Sequence, residues 1–322
     1  MTLENVIGQE RAKQLLKLFQ QTFDRKGKLP PIGIFGPSGL GKTHLVTEWA
    51  QELGAKLIYM NGTAIKDALA FRAYFKDADK DKDTHHIMFV DECHMLPRKV
   101  QENLLSVLED PSILCTVAPR EIGNVKCVDG TRWIDKGDVM REALPDNMSF
   151  IFATTDPAKM KDTILNRLRK IQLESYSVEN KIEIAMRHLA QSGIVRSDLT
   201  IYEALAKRSR SLRHLKDDLC ETFVDINNLY EPSEQLKVLD QILGIDADGA
   251  IDLDRDYLGY LAQHKIAGLD TLAGFLRISK DEIVTRLEPF MLERGWITIT
   301  AKGRMLTEDG RRKVFGEELD PV

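Results

Sequence analysis

Residues 36–43 read GPSGLGKT, and the reading of this octet decides the fold. It fits the spacing G-x-x-x-x-G-K-[ST]. The apolar run IGIF, Ile32 to Phe35, precedes it, and HLVTEWAQEL follows with helical character. In a strand–glycine loop–helix context this spacing is a phosphate site; without those flanks it is a glycine-rich turn that binds nothing. Gly36, Gly39 and Gly41 let backbone N–H groups approach phosphate oxygens without a Cβ clash. The N-terminus of the following helix favours negative charge. Lys42 is placed to reach the β and γ phosphates of a nucleotide, and Thr43 to hold Mg2+. Pro37, Ser38, Leu40 and His44 complete the expected cradle.

Bulk properties bound the rest. A chain of 322 residues has room for two or three domains at ~100–200 residues each. Hydrophobic residues make up 43% and charged residues 30%, the balance of a soluble globular protein. No stretch approaches the ~18 apolar residues of a membrane span. The opening MTLENVIGQERAKQLL lacks the basic-then-apolar order of a signal peptide. Cys93, Cys115, Cys127 and Cys220 form no C-x-x-C pair, so reduced, packing cysteines in a cytoplasmic protein are expected. A net charge of −5 and a pI near 5.9 exclude a surface that is basic throughout. A local cationic patch for nucleic acid remains compatible with them.

Along the chain, a turn at Gly8 leads into a helix carrying Leu15, Leu16, Leu18 and Phe19. KLPP breaks it before the first strand. KLIYMNG reads as a second strand, and DADKDKDTHH as a solvated loop with His85 and His86 at the surface. IMFV in HIMFVDECHMLP is a continuous apolar run, as a buried parallel strand requires. It ends in the carboxylate pair Asp91-Glu92; a second pair, Glu109-Asp110, ends the next helix and reads as structural. Residues 112–148 alternate β-like pieces (ILCTV, VKCV, TRWI) with turns, and FIFATTDP is another buried strand with a polar tip. This alternation predicts an α/β fold with an open, mostly parallel sheet over residues 1–175. From 176 to 245 only helical periodicity is present. Residues 250–322 read as three helices and a strand–turn–strand, the pattern of a winged helix-turn-helix.

The set IGQE (Ile7 to Glu10), GPSGLGKT, FVDECH (Phe89 to His94), FATTDP (Phe152 to Pro157), ILNRL (Ile164 to Leu168) and RSLRHLKDDL (Arg210 to Leu219) resembles the AAA+ ATPases. Within them the RuvB family of Holliday-junction motors is the nearest likeness. GPSGLGKT is similar to that family's GPPGLGKT. LDRDYL, GLDTLA, EPFMLERGWI and KGRMLT resemble its winged-helix domain in order and spacing. FATTDPAKMKDTILNRL looks more like a clamp-loader ATPase. The stretch between Asp110 and Phe150 differs from the segment with which the family grips its partner RuvA.

The resemblance implies ATP and Mg2+ as cofactors and assigns roles. Asp91 would orient Mg2+ and Glu92 would polarise the attacking water, although a carboxylate pair at a strand tip can also simply cap the next helix. Thr155, with Thr154 as its alternative, would be the polar sensor of the γ-phosphate. Arg167, with Arg169 as its competitor, would reach into a neighbouring subunit's nucleotide. Arg213 would contact phosphate from the helical lid, with Arg208 and Arg210 nearby. Ile7 would line the adenine pocket or pack in the core. An arginine acting in trans implies a ring, and the family implies a hexamer. Lys302 and Arg304 at the wing, with Arg311 and Arg312 after it, would meet DNA phosphates, a sequence-blind grip. The implied function is an ATP-driven duplex-DNA motor for branch migration at four-way junctions. A clamp-loader-like remodeller and a slow nucleotide switch are the other readings. The 112–148 segment, with Trp133, would hold a RuvA-like protein or another partner.

Overall fold

The computed structural model describes residues 3–66, 78, 81–109, 112–116, 132–135, 139–143 and 145–316. VKCV and Asp110 lie outside the described residues. The chain separates into two compact units, Met1–Ser177 and Val178–Val322.

The first unit is built on five parallel strands: β1 (Ile32–Phe35), β2 (Lys56–Asn61), β3 (His86–Asp91), β7 (Met148–Thr154) and β8 (Arg169–Gln172). They lie in the order β2-β3-β7-β1-β8, with Ile32 opposite both Ile151 and Arg169. Strands buried on both faces read as apolar runs rather than alternations. Ile34, Ile87, Phe89, Ile151 and Ala153 face one helical layer. In that layer the helices Glu10–Lys26 and Lys42–Glu52 supply Leu16, Phe19, Leu45, Val46 and Trp49. Met88, Val90, Phe150 and Phe152 face the other side, against Val100 and Leu104 of the helix Arg98–Glu109. The expected open parallel sheet is therefore present. A second, antiparallel sheet in the order β4-β6-β5 is formed by β4 (Ser112–Thr116), β5 (Arg132–Asp135) and β6 (Val139–Ala143).

His85 and His86 are not surface residues. His86 is fully buried in β3, its Nδ1 2.9 Å from the Thr84 carbonyl oxygen. His85 lies half-buried, edge-on to Phe23, with Nε2 3.0 Å from Ser149 Oγ. Burial depresses the His85 pKa to about 4, with the charges of His86 and Lys28 adding to the shift, so the ring stays neutral. The loop's run of charge stops before these two rings, which enter the base of the sheet.

The second unit begins with helices Val178–Gln191, Thr200–Arg208, Glu221–Asn227 and Pro232–Leu243. A π-helical stretch, His214–Cys220, leads into the third. Leu189, Tyr202, Leu205, Leu219 and Phe223 form their core. The helices Asp252–His264, Leu269–Leu276 and Glu288–Glu293 follow, with the wing strands β10 (Ile297–Thr300) and β11 (Gly303–Leu306). The winged-helix pattern is thus present. A short strand unanticipated by the sequence, β9 (Ile266–Ala267), pairs antiparallel with β11 and anchors the wing. Ile251 packs against both cores of this unit. Charged pairs also join them: Lys181 Nζ is 2.8 Å from Glu293 Oε1, and Lys313 lies over the Trp296 ring while pairing with Asp246 at 2.8 Å.

Candidate nucleotide site

The C-terminal ends of β1, β3 and β7 meet at one edge of the sheet, where ligands bind in open parallel folds. The loop 36–41 leaves β1 and ends at Gly41 in the left-handed region, φ 81°, where the helix Lys42–Glu52 begins. Glycine adopts that conformation without the cost other residues meet. Lys42 is buried and folds back on its own loop, donating to the carbonyls of Gly36 at 2.8 Å and Pro37 at 3.0 Å. The ammonium therefore lies inside the cradle that phosphate would fill. Tyr176 Oη donates to the Leu40 carbonyl at 3.2 Å and braces the loop from the far side. His44 is exposed, 4.0 Å from Glu48.

The IGQE segment is tied down by Gln9. Its side-chain amide donates to the Glu174 carbonyl at 2.7 Å and accepts from the Glu174 N–H at 3.0 Å. Val6 enters the core, whereas Ile7 stays half-buried and is not among the buried core residues.

Asp91 ends β3. Its Oδ2 accepts from Thr43 Oγ1 at 3.0 Å and from Tyr59 Oη at 3.4 Å; its Oδ1 accepts from the Glu92 N–H at 2.9 Å. Burial, then the Asp91 charge, raises the Tyr59 pKa, so this phenol remains a donor. Thr43 and Asp91 bring a hydroxyl and a carboxylate together, hard oxygen donors that suit Mg2+ sharing its shell with phosphate and water. Among the described residues no cluster of three or more acidic, His or Cys side chains forms a metal cage.

Glu92 adopts a left-handed conformation, φ 47° and ψ 45°. Its Oε2 accepts from Thr155 Oγ1 at 3.0 Å and lies 3.3 Å from His94 Nδ1. Thr154, the alternative sensor, is fully buried; its Oγ1 is 2.8 Å from His94 Nδ1 and accepts from the Asp156 N–H. Thr155 is half-buried and is the threonine that touches Glu92. So Lys42, Thr43, Asp91, Glu92 and Thr155 converge. Three contributors were not anticipated. They are Tyr59, His94, and Gly62, where an added Cβ would stand 2.4 Å from the Glu92 carbonyl oxygen. The spacing of His94 after the carboxylate pair was the only one of these signals visible in the sequence.

Arg167 is exposed just after the helix Asp162–Leu165, its Nη1 donating to the Thr163 carbonyl at 2.6 Å. Arg169 is exposed at the start of β8. In the second unit, Arg208 is buried and clamps Asp240 at 2.6 and 2.9 Å. Arg210 pairs with the buried Asp254 and lies 4.0 Å over the Phe290 ring. Arg213 is exposed, and no hydrogen bond or ion pair engages its side chain among the described residues.

The wing requires a correction. Arg304 does not stand free at the tip; it forks onto Glu288 at 2.7 and 3.2 Å, alongside Tyr257 Oη. A buried carboxylate needs a charged partner, and strand β11 points Arg304 inward to supply it. Arg312 pairs with Glu308 at 2.6 Å. Lys302 and Arg311 are exposed, with no side-chain partner among the described residues. Trp133 falls on β5, opposite Arg141 of β6. No helix of the described residues is long and apolar enough to cross a membrane.

Two family models match the chain. Residues 1–124 match the Holliday junction DNA helicase RuvB P-loop domain, and residues 243–314 match the RuvB C-terminal winged helix domain. The Holliday junction branch migration complex subunit RuvB of Kosmotoga olearia is 29% identical over 324 aligned residues, covering 96% of this chain and 87% of that one. The Thermotoga maritima RuvB branch migration motor has the same fold, with a TM-score of 0.74 at 24% identity over 99% of this chain and 98% of that one. A point variant of it gives 0.76 at 24% identity, with coverage of 99% and 98%. A phosphate loop, an acidic strand tip and a winged helix, in this order on one chain and matched at both ends, make the protein a RuvB-like AAA+ ATPase.

Proposed function

We propose that this chain is an ATP-dependent DNA motor that drives branch migration at Holliday junctions. The observation that carries the reading is the pairing of a phosphate-loop domain and a winged-helix domain, each matching RuvB, in one chain. In the hydrolytic step, water attacks the γ-phosphorus and the bond to the departing ADP breaks. Glu92 takes the water proton, while Lys42 and the phosphate-loop amides bear the developing charge. Mg2+, held through Thr43 and Asp91, would neutralise the β and γ oxygens. Arg213 is the arginine of the second unit proposed to contact phosphate, since Arg208 and Arg210 are engaged elsewhere.

Arg167 is proposed to act across a subunit interface, which requires a ring; a hexamer is the ring this family implies. Lys302 and Arg311 are proposed to contact duplex phosphates. The antiparallel sheet of β4, β5 and β6 is proposed as the seat of a RuvA-like partner. The test is steady-state ATP hydrolysis with and without duplex and four-way-junction DNA, with oligomeric mass read under the same conditions. Junction-stimulated turnover by a ring-sized species, followed by strand exchange on a labelled junction, is the expected result. Turnover indifferent to DNA and dependent on a protein cargo would replace the motor by a loader.

A further inference from the structure

We propose that His94 is the positioning residue that aims the Glu92 carboxylate, an inference that rests on Glu92 being the group that accepts the water proton. Glu92 has little backbone freedom. Its left-handed conformation is followed by a tight turn in which the Met95 N–H donates to its carbonyl at 2.9 Å, and Gly62 packs against that same carbonyl. The direction of the carboxylate is then set by what holds its oxygens. Thr155 Oγ1 and His94 Nδ1 both address one oxygen, Oε2, at 3.0 and 3.3 Å. Oε1 has no hydrogen-bond partner among the described residues.

A carboxylate oxygen 3.3 Å from Nδ1 favours a proton on that nitrogen, since two lone pairs at this distance would repel. The hydrogen bond of Nδ1 is the one with Thr154 Oγ1, 2.8 Å away, and Glu92 Oε2 lies beside the same nitrogen at 3.3 Å as a close charge contact. His94 is nearly buried, with 9% of its side chain exposed, and Thr154 is fully buried at the end of β7. The imidazole is thus anchored to the tip of β7 and backs Oε2, which Thr155 holds by its hydrogen bond, leaving Oε1 as the atom that receives the proton of the attacking water. Hydrolysis forms the bond from water oxygen to γ-phosphorus and breaks the bond to the β-phosphate oxygen. The bonding electrons leave with ADP, and the water proton goes to Oε1.

The test uses the full chain and compares His94→Ala, His94→Asn and Glu92→Gln in steady-state hydrolysis, with binding of a non-hydrolysable ATP analogue and thermal unfolding measured beside it. Loss of an orienting contact lowers kcat without lowering ground-state affinity. The expected result is a kcat reduced about tenfold or more in His94→Ala, analogue affinity within about twofold, and most of the rate restored in His94→Asn, whose amide can donate from nearly the same place. Wild-type kcat in His94→Ala, with Glu92→Gln stalled, overturns the inference alone. Joint loss of rate, affinity and thermal stability without rescue by Asn also overturns it, because His94 would then only fill space. Undiminished turnover in Glu92→Gln removes the reading of Glu92 on which the inference stands.

Discussion

Single residues divide into those whose type announces their role and those whose neighbours decide it. Lys42, Asp91 and Glu92 belong to the first kind. Glu92→Gln is expected to bind ATP while turnover falls about a hundredfold or more, since the amide keeps the shape but cannot take a proton. Single-turnover hydrolysis with a parallel binding titration checks this. Gly62 belongs to the second kind. Its neighbours Asn61 and Thr63 give no hint of a site, because the constraint comes from a carbonyl thirty residues onward in sequence and one strand away in space. Gly62→Ala would place a methyl 2.4 Å from the Glu92 oxygen. The strand tip must move, so kcat should fall with nucleotide binding largely kept. Overpacking of this kind also costs about 1–3 kcal/mol of stability, readable in urea. Wild-type kinetics in a folded Gly62→Ala protein would show that the contact is not part of the site.

At the scale of elements, the sequence made the periodic parts legible. Apolar runs bounded by turns gave β1, β3 and β7, and the glycine spacing gave the loop from β1 to the helix Lys42–Glu52. Side-chain direction within short elements was not legible. In KGRM the wing's cations look equivalent, yet Lys302 sits in the turn while Arg304, two residues on, lies inside against Glu288. The buried glutamate that decides this is sixteen residues away in the chain, and no local pattern marks it. β9 was missed for a related reason: two residues carry no period. Arg304→Ala should therefore leave a buried charge unpaired and destabilise the winged helix by about 3–5 kcal/mol. Lys302→Ala should leave stability unchanged and flatten the salt dependence of duplex binding by about one counterion. Thermal melts and a salt titration of DNA affinity separate the two. Equal melts would show that Arg304 is not structural.

At the scale of the whole molecule, buried histidines and paired aspartates are expected to respond to acid in different pH windows. His85 has a folded pKa near 4, below its ordinary 6.5, so the unfolded chain binds the proton first. Its contribution is complete above pH 6.5 and is lost as pH falls through that window towards 4. For Asp248, burial alone would raise the pKa, but hydrogen bonds from Lys207 and Lys313 bring it down to about 2 from 3.8. Its contribution is present above 3.8 and is lost as pH falls towards 2. The His214 ring of the second unit, its pKa also lowered by burial, falls in the same early window, so His85→Gln should lessen the loss between pH 6.5 and 4 and leave the loss below 3.8 unchanged on melting down the pH scale.

The proposed ring makes a stronger demand, because it predicts function from two inactive chains. A Lys42→Ala subunit cannot hold the nucleotide phosphates but still carries Arg167. An Arg167→Ala subunit is expected to hold ATP but to lack the cation that, on the proposed trans role, its neighbour's site requires. If Arg167 acts in trans, an interface is complete wherever the nucleotide site of the second meets the arginine of the first. With random assembly at equal amounts, about a quarter of the interfaces are complete, and hydrolysis should peak at that ratio and vanish at either pure end. If Arg167 serves its own subunit, or only holds the Thr163 carbonyl, no mixture contains a complete site. ATP turnover would then stay at the level of the two pure variants at every ratio.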